Sequence, residues 1–231
     1  LHVRSRRQRQ MCIRDSITSA SVIVDEPTKL NGRIWPKNFE GGYMGPLDLK
    51  SALGYSRNTT SIKTFLQVGT EYCMSMLKKF GISTLQTDGN VNDANPSAIA
   101  LGGMAKGISP LELSNAYTAF ANGGKVYKPV SYTKVKDRKG KVILDSSNNK
   151  ATKVMGEDVA FVMNKILQFS VTNCYANGAS IPGVPTGAKT GTTSDDLDIW
   201  CVGFTPSYAA AVWIGNDVSI SLSNNSSAAT Q

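Results

Sequence analysis

The sequence has a single histidine, His2, among its 231 residues. This count excludes most histidine-based catalysis, including a Ser-His-Asp triad, and argues against a histidine-rich zinc site. The four cysteines, Cys12, Cys73, Cys174 and Cys201, form no C-x-x-C pair and have no close, even spacing. We therefore predict neither a zinc knuckle nor a disulfide framework, and no metal or cofactor.

Long apolar runs are also missing, since no stretch approaches the roughly 18 residues that a transmembrane helix needs. The hydrophobic content of 41% nevertheless predicts a packed core.

The net charge of +8 divides between two regions. Residues 1–16 carry five Arg against one Asp, and the other 215 residues carry 20 Lys and Arg against 16 Asp and Glu. The body is only mildly basic, so we predict no nucleic-acid partner.

Residues 1–16 have no apolar core and no small-residue cleavage site, so they are not a signal peptide. They resemble translated adapter remnants of the MCIRDS type. We predict that this leader is non-native and that the natural N-terminal part is missing. The remainder is predicted to be one partial domain over residues 17–217, followed by a polar tail over residues 218–231.

The hydrophobic pattern changes period along the chain. Apolar residues recur at spacings of three and four from Thr60 to Phe80, which predicts a helix with a weak point at Gly69. A short helix is predicted to open at Pro46, and Ser109 to Glu112 form a capping box for another. A polar loop is predicted over residues 86–97.

The later part of the chain reads as strands. Residues 132–135 and 141–144 predict a solvated hairpin. Residues 188–193, 199–204 and 209–214 predict three strands joined by short turns, hence antiparallel neighbours. Helices followed by an antiparallel meander indicate an α+β fold, with an antiparallel sheet flanked by helices.

One motif on the first of these strands points to chemistry. It consists of Lys189, Thr190, Gly191, Thr192 and Thr193. Lysine offers a cation, the threonine hydroxyls can donate to a carboxylate, and glycine lets a ligand approach the backbone closely. A peptide could add to such a strand by main-chain hydrogen bonds. The alternative interpretation of Lys189 is a solvated strand lysine.

This K-T-G motif resembles the third motif of the penicillin-binding, active-site-serine transpeptidases. The segments IPGVPTGAKTGTTSDDLDIWCVGFTPSYAAAVWIGND, PLELSNAYTAFANGG and WPKNFEGGYMGPLDLKSALGYSRN resemble the bifunctional class A proteins of that family. The resemblance covers about residues 24–217. It implies the fold shared by serine β-lactamases and penicillin-binding proteins, without its N-terminal part.

The resemblance also implies roles for individual residues. Ser56 and Asn58 match the family's S-x-N motif between two helices, where Ser56 would pass a proton to the leaving group and Asn58 would hold the substrate. Lys189 would support Ser56 electrostatically. The side chains of Thr190 and Thr192 would bind the donor's terminal carboxylate, and the Thr192 N–H would supply half of an oxyanion hole. Helix capping is the alternative explanation for the S-R-N sequence.

The family's first motif, S-x-x-K, carries the nucleophilic serine and precedes S-x-N. No S-x-x-K occurs before Ser56 in this sequence. Later matches begin at Ser75, Ser131 and Ser147, and we interpret all three as coincidental because none is predicted to open a buried helix. We expect the nucleophile in a missing upstream segment.

The resemblance therefore implies part of a peptidoglycan D,D-transpeptidase that binds wall stem peptides and β-lactams and acts at the extracytoplasmic face of a bacterial membrane. The membrane would be reached only through an upstream anchor. The fragment alone is expected to be inactive. The alternatives are a D,D-carboxypeptidase or β-lactamase relative, or a non-catalytic fragment that binds wall peptides.

Overall fold

The computed structural model describes residues 17–89, 91–218 and 220–222, apart from the side chain of Asp195. The leader, residues 1–16, and most of the tail, residues 219 and 223–231, therefore lie outside the described residues. The described helices are α1 (Leu49–Gly54), α2 (Asn58–Val68), α3 (Thr70–Lys79), α4 (Pro96–Leu101), α5 (Pro110–Ala121) and α6 (Glu157–Asn173). None of them is long and apolar enough to cross a membrane.

Four short strands precede α1, four more lie between α5 and α6, and three longer strands follow α6 as a meander. They are β1 (Val22–Asp25), β2 (Lys29–Leu30), β3 (Arg33–Ile34), β4 (Gly45–Asp48), β5 (Lys125–Val126), β6 (Lys134–Lys136), β7 (Val142–Asp145), β8 (Thr152–Lys153), β9 (Gly187–Thr192), β10 (Asp198–Phe204) and β11 (Ala209–Gly215). The last three form an antiparallel sheet in the order β11-β10-β9, with Lys189 opposite Val202. The predicted α+β class and the meander are confirmed.

Two helices cover this sheet. Helix α5 packs against β10 and β11, and helix α6 packs against β9. The predicted capping box opens α5, since the N–H of Glu112 donates to Ser109 Oγ at 3.2 Å. Farther along α5, the ring of Phe120 lies 6.2 Å from the ring of Phe204 on β10. The cap thus fixes where the helix starts, and the aromatic pair fixes it against the sheet.

The helical region differs from the prediction at two places. The pattern from Thr60 to Phe80 forms two helices instead of one, because Gly69 adopts a φ of 91° between α2 and α3. Pro46 does not open a helix, since it lies in β4 opposite Val24 of β1. Helix α1 begins later, where Asp48 accepts a hydrogen bond from the N–H of Ser51 at 2.7 Å. An aspartate cap therefore replaces the predicted proline start.

The predicted hairpin is present as β6 and β7, with a register irregularity between Val135 and Lys136. Its turn has Gly140 at a φ of 83°, a left-handed conformation that glycine adopts without strain. The predicted polar loop ends at Asn95, whose side chain caps α4. The hairpin stands apart from the main sheet, so it contributes no residue to the meander.

Candidate active site

A fully buried aspartate anchors the segment that carries Ser56 and Asn58. Asp25, at the end of β1, has 0% exposed surface. Its carboxylate accepts hydrogen bonds from four groups: Asn38 Nδ2 at 2.8 Å, the Met44 N–H at 2.9 Å, Arg57 Nε at 2.8 Å and Thr59 Oγ1. Burial raises the pKa of Asp25, but these hydrogen bonds outweigh it and leave the pKa below 3.8.

The buried Arg57 extends this anchor to the neighbouring loop. Its Nη2 donates to the carbonyl of Gly42 at 2.9 Å, in addition to the bond from Nε to Asp25. Because Arg57 stands between Ser56 and Asn58, the ion pair fixes both flanking residues. Ser56 holds a φ of 52°, which non-glycine residues rarely adopt. The surrounding contacts stabilise that conformation.

Lys189 reaches Ser56 from the other side of the chain. Its Nζ donates to Ser56 Oγ and to the carbonyl of Thr190, the latter at 2.8 Å. Lys189 is half-buried and forms no ion pair with any side chain that the structure describes. Desolvation lowers its pKa from 10.5 to about 8, although the Cys174 and Cys201 thiols oppose this shift. A substantial share of Lys189 is therefore uncharged slightly above neutral pH.

A buried thiol packs behind this pair. The Sγ atom of Cys174 would lie 2.6 Å from a Cβ built on Gly54, two residues before Ser56. Burial raises the pKa of Cys174, and a hydrogen bond from Tyr55 opposes that change. The ring of Tyr55 also meets that of Tyr175 edge to face, with centroids 5.7 Å apart. The segment after α6 thus supports the Ser56 loop by close packing.

Asn58 is the first residue of α2 and is half-buried. Its Nδ2 donates to the carbonyl of Lys37 at 2.9 Å, which orients the amide. The structure therefore brings Ser56 and Lys189 into contact and places Asn58 two residues from that contact. Ser56 lies in the break between α1 and α2, as the sequence pattern predicts, whereas Asn58 is already the first residue of α2.

The K-T-G strand forms the edge of the described sheet, because β9 pairs only with β10 there. Thr190 is half-buried, whereas Gly191 and Thr192 are exposed. Thr193 follows the strand, and its Oγ1 accepts a hydrogen bond from the N–H of Asp198 at 2.8 Å. The hydroxyl of Thr193 is thus engaged in a turn, and Thr192 is the more accessible threonine.

The three later S-x-x-K matches lie elsewhere. Ser75 is within α3, where its hydroxyl donates to the carbonyl of Tyr72 at 2.7 Å. Ser131 is exposed before β6, and Ser147 contacts Asp145 beyond the hairpin. None of these serines hydrogen-bonds to Lys189 or Ser56 among the contacts of the described residues. No described group of three or more His, Cys, Asp and Glu side chains could hold a metal ion.

Comparison with protein families assigns the chain as a whole. The family described as "Penicillin binding protein transpeptidase domain" matches residues 15–230, which is nearly the whole chain. The chain belongs to the penicillin-binding protein transpeptidase family. The resemblance drawn from the K-T-G and S-x-N segments is thereby confirmed, and so is the association with the bacterial cell wall and peptidoglycan.

Curated relatives agree with this assignment. The chain is 37% identical over 192 residues to penicillin-binding protein 1A of Clostridium acetobutylicum, a match that covers 81% of this chain and 23% of the relative. It is 32% identical over 212 residues to penicillin-binding protein 1A of Neisseria meningitidis serogroup A, covering 87% of this chain and 26% of the relative. The chain thus spans about a quarter of the length of these transpeptidase-family relatives.

Solved structures show the same fold. The penicillin-binding protein PonA1 of Mycobacterium tuberculosis matches with a TM-score of 0.78 at 24% identity, covering 91% of this chain and 58% of that one. Penicillin-binding protein 1A of Haemophilus influenzae matches with a TM-score of 0.76 at 23% identity, covering 93% of this chain and 37% of that one. The expected penicillin-binding-protein fold is confirmed.

Sequence reasoning missed the anchor of this transpeptidase-family site. Asp25 follows the apolar strand residues of β1, and Arg57 occupies the unspecified position of S-x-N. A charged residue directly after a strand gives no sign of its partners. Cys174 is a buried free thiol, and its contact with the Ser56 loop has no signal in the sequence.

Proposed function

We propose that this chain supplies the S-x-N and K-T-G elements of a peptidoglycan D,D-transpeptidase, an enzyme that cross-links wall stem peptides through an acyl-serine intermediate. The observation that carries the proposal is the hydrogen bond from Lys189 Nζ to Ser56 Oγ. A serine hydroxyl held by a lysine whose pKa is about 8 can accept and return a proton near neutral pH. Ser56 is then the proton carrier to the leaving amine.

The proposed donor peptide lies along the outer edge of β9. Its main chain would add to the sheet as a further strand, and its terminal carboxylate would meet the hydroxyls of Thr190 and Thr192. The N–H of Thr192 would donate to the developing oxyanion. Asn58 would hold the peptide amide from the opposite side. Thr193 would contribute through the turn that it forms with Asp198.

Gly191 supports a ligand at this edge. Its backbone does not adopt a positive φ, and a Cβ placed there would lie 3.7 Å from the nearest described heavy atom outside its neighbours, Trp200 Cβ. That is ordinary van der Waals contact. The fold itself therefore tolerates a side chain at position 191. The absence of a side chain instead lets a ligand approach the backbone of this strand closely.

The nucleophile of the proposed reaction belongs to an S-x-x-K motif outside these 231 residues. Its serine would attack the penultimate D-Ala carbonyl, the terminal D-Ala would leave, and the amine of a neighbouring stem would then attack the acyl-serine. β-Lactams would acylate the same serine. The related PonA1 protein of Mycobacterium tuberculosis forms a complex with penicillin V, which supports β-lactams as ligands. The whole protein would act at the extracytoplasmic face of the membrane.

Two experiments test the proposal. The first exposes the chain to penicillin and measures its intact mass, where we expect no stoichiometric adduct. A covalent adduct on Ser75 would show that this chain carries its own nucleophile. The second joins the chain to the segment encoded upstream of Ile17 in the native gene and measures the rate of acylation by a fluorescent penicillin.

In that longer protein, Lys189→Met and Ser56→Ala should each slow acylation by about 100-fold or more, the range typical of general acid–base groups. Gly191→Ala should weaken donor binding while leaving the melting temperature unchanged. Ser75→Ala is the matched control and should acylate normally. Unchanged acylation in both Lys189→Met and Ser56→Ala would refute the proposed roles.

The non-catalytic alternative rests on the absence of S-x-x-K before Ser56. Under that alternative the chain binds a D-Ala-D-Ala peptide at β9 without cutting it. A titration followed by amide NMR distinguishes the alternatives once the upstream sequence is known. Shifts at Gly191 and Thr192 together with a natural start at the basic leader would favour a binding fragment over an enzyme.

A further inference from the structure

The positive charge of the body is concentrated in one segment. Residues 125–153, which we call the basic ribbon, contain eight Lys and one Arg against two Asp, a net charge of +7. The rest of the chain after residue 16 carries 11 Lys and Arg against 14 Asp and Glu, a net charge of −3. The mildly basic average of the body therefore conceals one strongly basic element in an otherwise slightly acidic domain.

The charges of the basic ribbon face solvent. Eight of its nine basic residues are exposed, and Lys125 is half-buried. The one ion pair that the described residues form in the ribbon joins Lys134 to Asp145 at 3.2 Å. Asp137 instead accepts hydrogen bonds from the N–H groups of Lys139 and Lys141 and so closes the turn. The acidic residues therefore offset little of the charge of the ribbon.

Aliphatic side chains are exposed among these lysines. Three consecutive residues of β7 have large exposed fractions: Val142 41%, Ile143 61% and Leu144 47%. Every residue of β7 is exposed, and its described pairing is with β6 alone. Isolated exposed apolar residues are common, but an exposed aliphatic run beside a basic turn is a combination that lipid-binding surfaces use.

We infer that the basic ribbon is a docking surface for an anionic lipid bilayer. Exposed aliphatic residues would enter the boundary between headgroups and acyl chains, and the lysines would meet anionic headgroups. Lysine provides a hydrated point charge, which suits a diffuse anionic surface, whereas base-specific nucleic-acid readout relies strongly on bidentate arginine contacts. Lysine is also depleted at protein–protein interfaces.

A cleft beside the hairpin offers a place for one phosphate headgroup. It has a volume of about 390 Å³ and is open to solvent. Its lining includes Lys128, Ser131 and Tyr132, which supply an ammonium group and two hydroxyl donors, and also Asp145, whose carboxylate is paired with Lys134 at 3.2 Å. The docking surface thus has a charged turn, an aliphatic strand and a polar cleft within one segment of 29 residues.

Flotation of the full chain with lipid vesicles tests the inference. We expect binding to phosphatidylcholine vesicles that contain about a third phosphatidylglycerol, little binding to pure phosphatidylcholine, and a steep loss as salt rises toward about 0.15 M and beyond. Because the basic residues 1–16 are present in every variant, their contribution cancels only when variants are compared on the same anionic vesicles, and that comparison isolates the ribbon. Equal binding to both kinds of vesicle, or none to either, would overturn the inference.

A charge-reversed variant locates the surface. Lys136→Glu, Lys139→Glu and Lys141→Glu together should reduce partitioning by about 100-fold or more, since each basic residue near an anionic surface contributes roughly a factor of five. The control reverses three exposed lysines elsewhere, Lys78, Lys79 and Lys106, with the same change in net charge. If both variants lose the same share of vesicle binding, binding depends on overall net charge, and the ribbon is not the docking site.

An apolar variant separates a membrane from a soluble polyanion. Val142→Thr with Ile143→Thr keeps β-branched side chains in β7 but removes apolar surface, so vesicle binding should fall by about tenfold. Inorganic polyphosphate should bind weakly, and equally well to the unmodified chain and to the threonine variant. Tight polyphosphate binding, with vesicle binding unaffected by the threonines, would identify a soluble phosphate polymer and overturn the membrane assignment. Because the threonine variant preserves charge, it decides the question even if the charge-reversed variant fails to fold.

Discussion

Two desolvated charged groups near Ser56, Asp25 and Lys189, differ in how completely their surroundings compensate the charge. Asp25 is fully enclosed, and four hydrogen bonds, one of them from a guanidinium, satisfy its carboxylate. Lys189 is half-buried, contacts a hydroxyl and a carbonyl, and forms no ion pair with a described side chain. The pKa of Asp25 is lowered, which keeps it charged, and the pKa of Lys189 is lowered, which favours losing its charge.

This difference distinguishes a charge with a structural role from a charge that can titrate. A buried charge with all its hydrogen bonds made holds its surroundings in place and resists titration. A desolvated cation without a counterion has a pKa close to the pH of its surroundings, which is the requirement for moving protons. Asp25 therefore fixes the conformation of the Ser56 loop, and Lys189 supplies that loop with a titratable partner.

The largest loss in the free energy of unfolding should come from Asp25→Ala. It leaves Arg57 buried without its carboxylate, so we expect a loss of about 3–5 kcal/mol in the free energy of unfolding, measured by urea denaturation. Asp145→Ala is the control, because it removes an exposed carboxylate paired with Lys134 and should have a far smaller effect on stability. A loss below about 1 kcal/mol for Asp25→Ala would contradict the anchoring role.

The support behind the site can be broken sterically. Gly54→Ala places a Cβ 2.6 Å from Cys174 Sγ and should destabilise the protein by about 1–3 kcal/mol. Cys174→Ala removes the sulfur, so Gly54→Ala should cost nothing when it is added to that variant. A double-mutant cycle in urea measures the coupling, with Cys73→Ala as the matched background. Equal costs in all three backgrounds would show that Gly54 and Cys174 are not coupled.

Lys189→Met should have a stability effect opposite in sign to that of Asp25→Ala. It removes a desolvated ammonium but keeps a long apolar side chain, so the free energy of unfolding at pH 7 should rise by up to about 1 kcal/mol. The same change should slow the proposed acylation of the longer protein by about 100-fold or more. Such an exchange of stability for function is common at active sites. Destabilisation by several kcal/mol would instead make Lys189 a structural residue.

The smallest expected effect concerns how the stability of the fold depends on pH, at acid pH for Asp25 and at alkaline pH for Lys189. The stability contributed by Asp25 is present above its unfolded pKa of about 3.8 and is lost as the pH falls through the lower folded value. For Lys189 the unfolded chain binds the extra proton between about 8 and 10.5, so stability rises with pH in that window. Thermal denaturation across pH should show Asp25→Asn flattening the acid limb alone and Lys189→Met flattening the alkaline limb alone.

The sequence predicts the two motif elements and the sheet, because these depend on local patterns. The K-T-G strand and its two neighbours have short turns between them, and S-R-N lies between two apolar periodic segments. It does not predict the Asp25 anchor, because the partners of that carboxylate lie 13, 19, 32 and 34 residues away. Nothing local distinguishes such a residue from a solvated aspartate.

Other differences have equally physical causes. Gly69 divides the predicted helix because its φ of 91° is incompatible with continuing the helix, whereas its neighbours fit the helical period. Strand β4 has the sequence GPLD, in which proline and glycine favour a turn, and it forms through its pairing with β1. Averaging charge over the whole body concealed the basic ribbon, since net charge carries no information about position.

The bond between Lys189 and Ser56 joins residues 133 positions apart. A contact that closes so long a loop carries a large entropic cost and can persist only when the intervening elements have packed. The Lys189–Ser56 contact is consequently one of the last features that a folding chain can complete. If the proposed proton transfer operates at Ser56, activity depends on completed folding, because a partly folded chain would have both residues but not their contact.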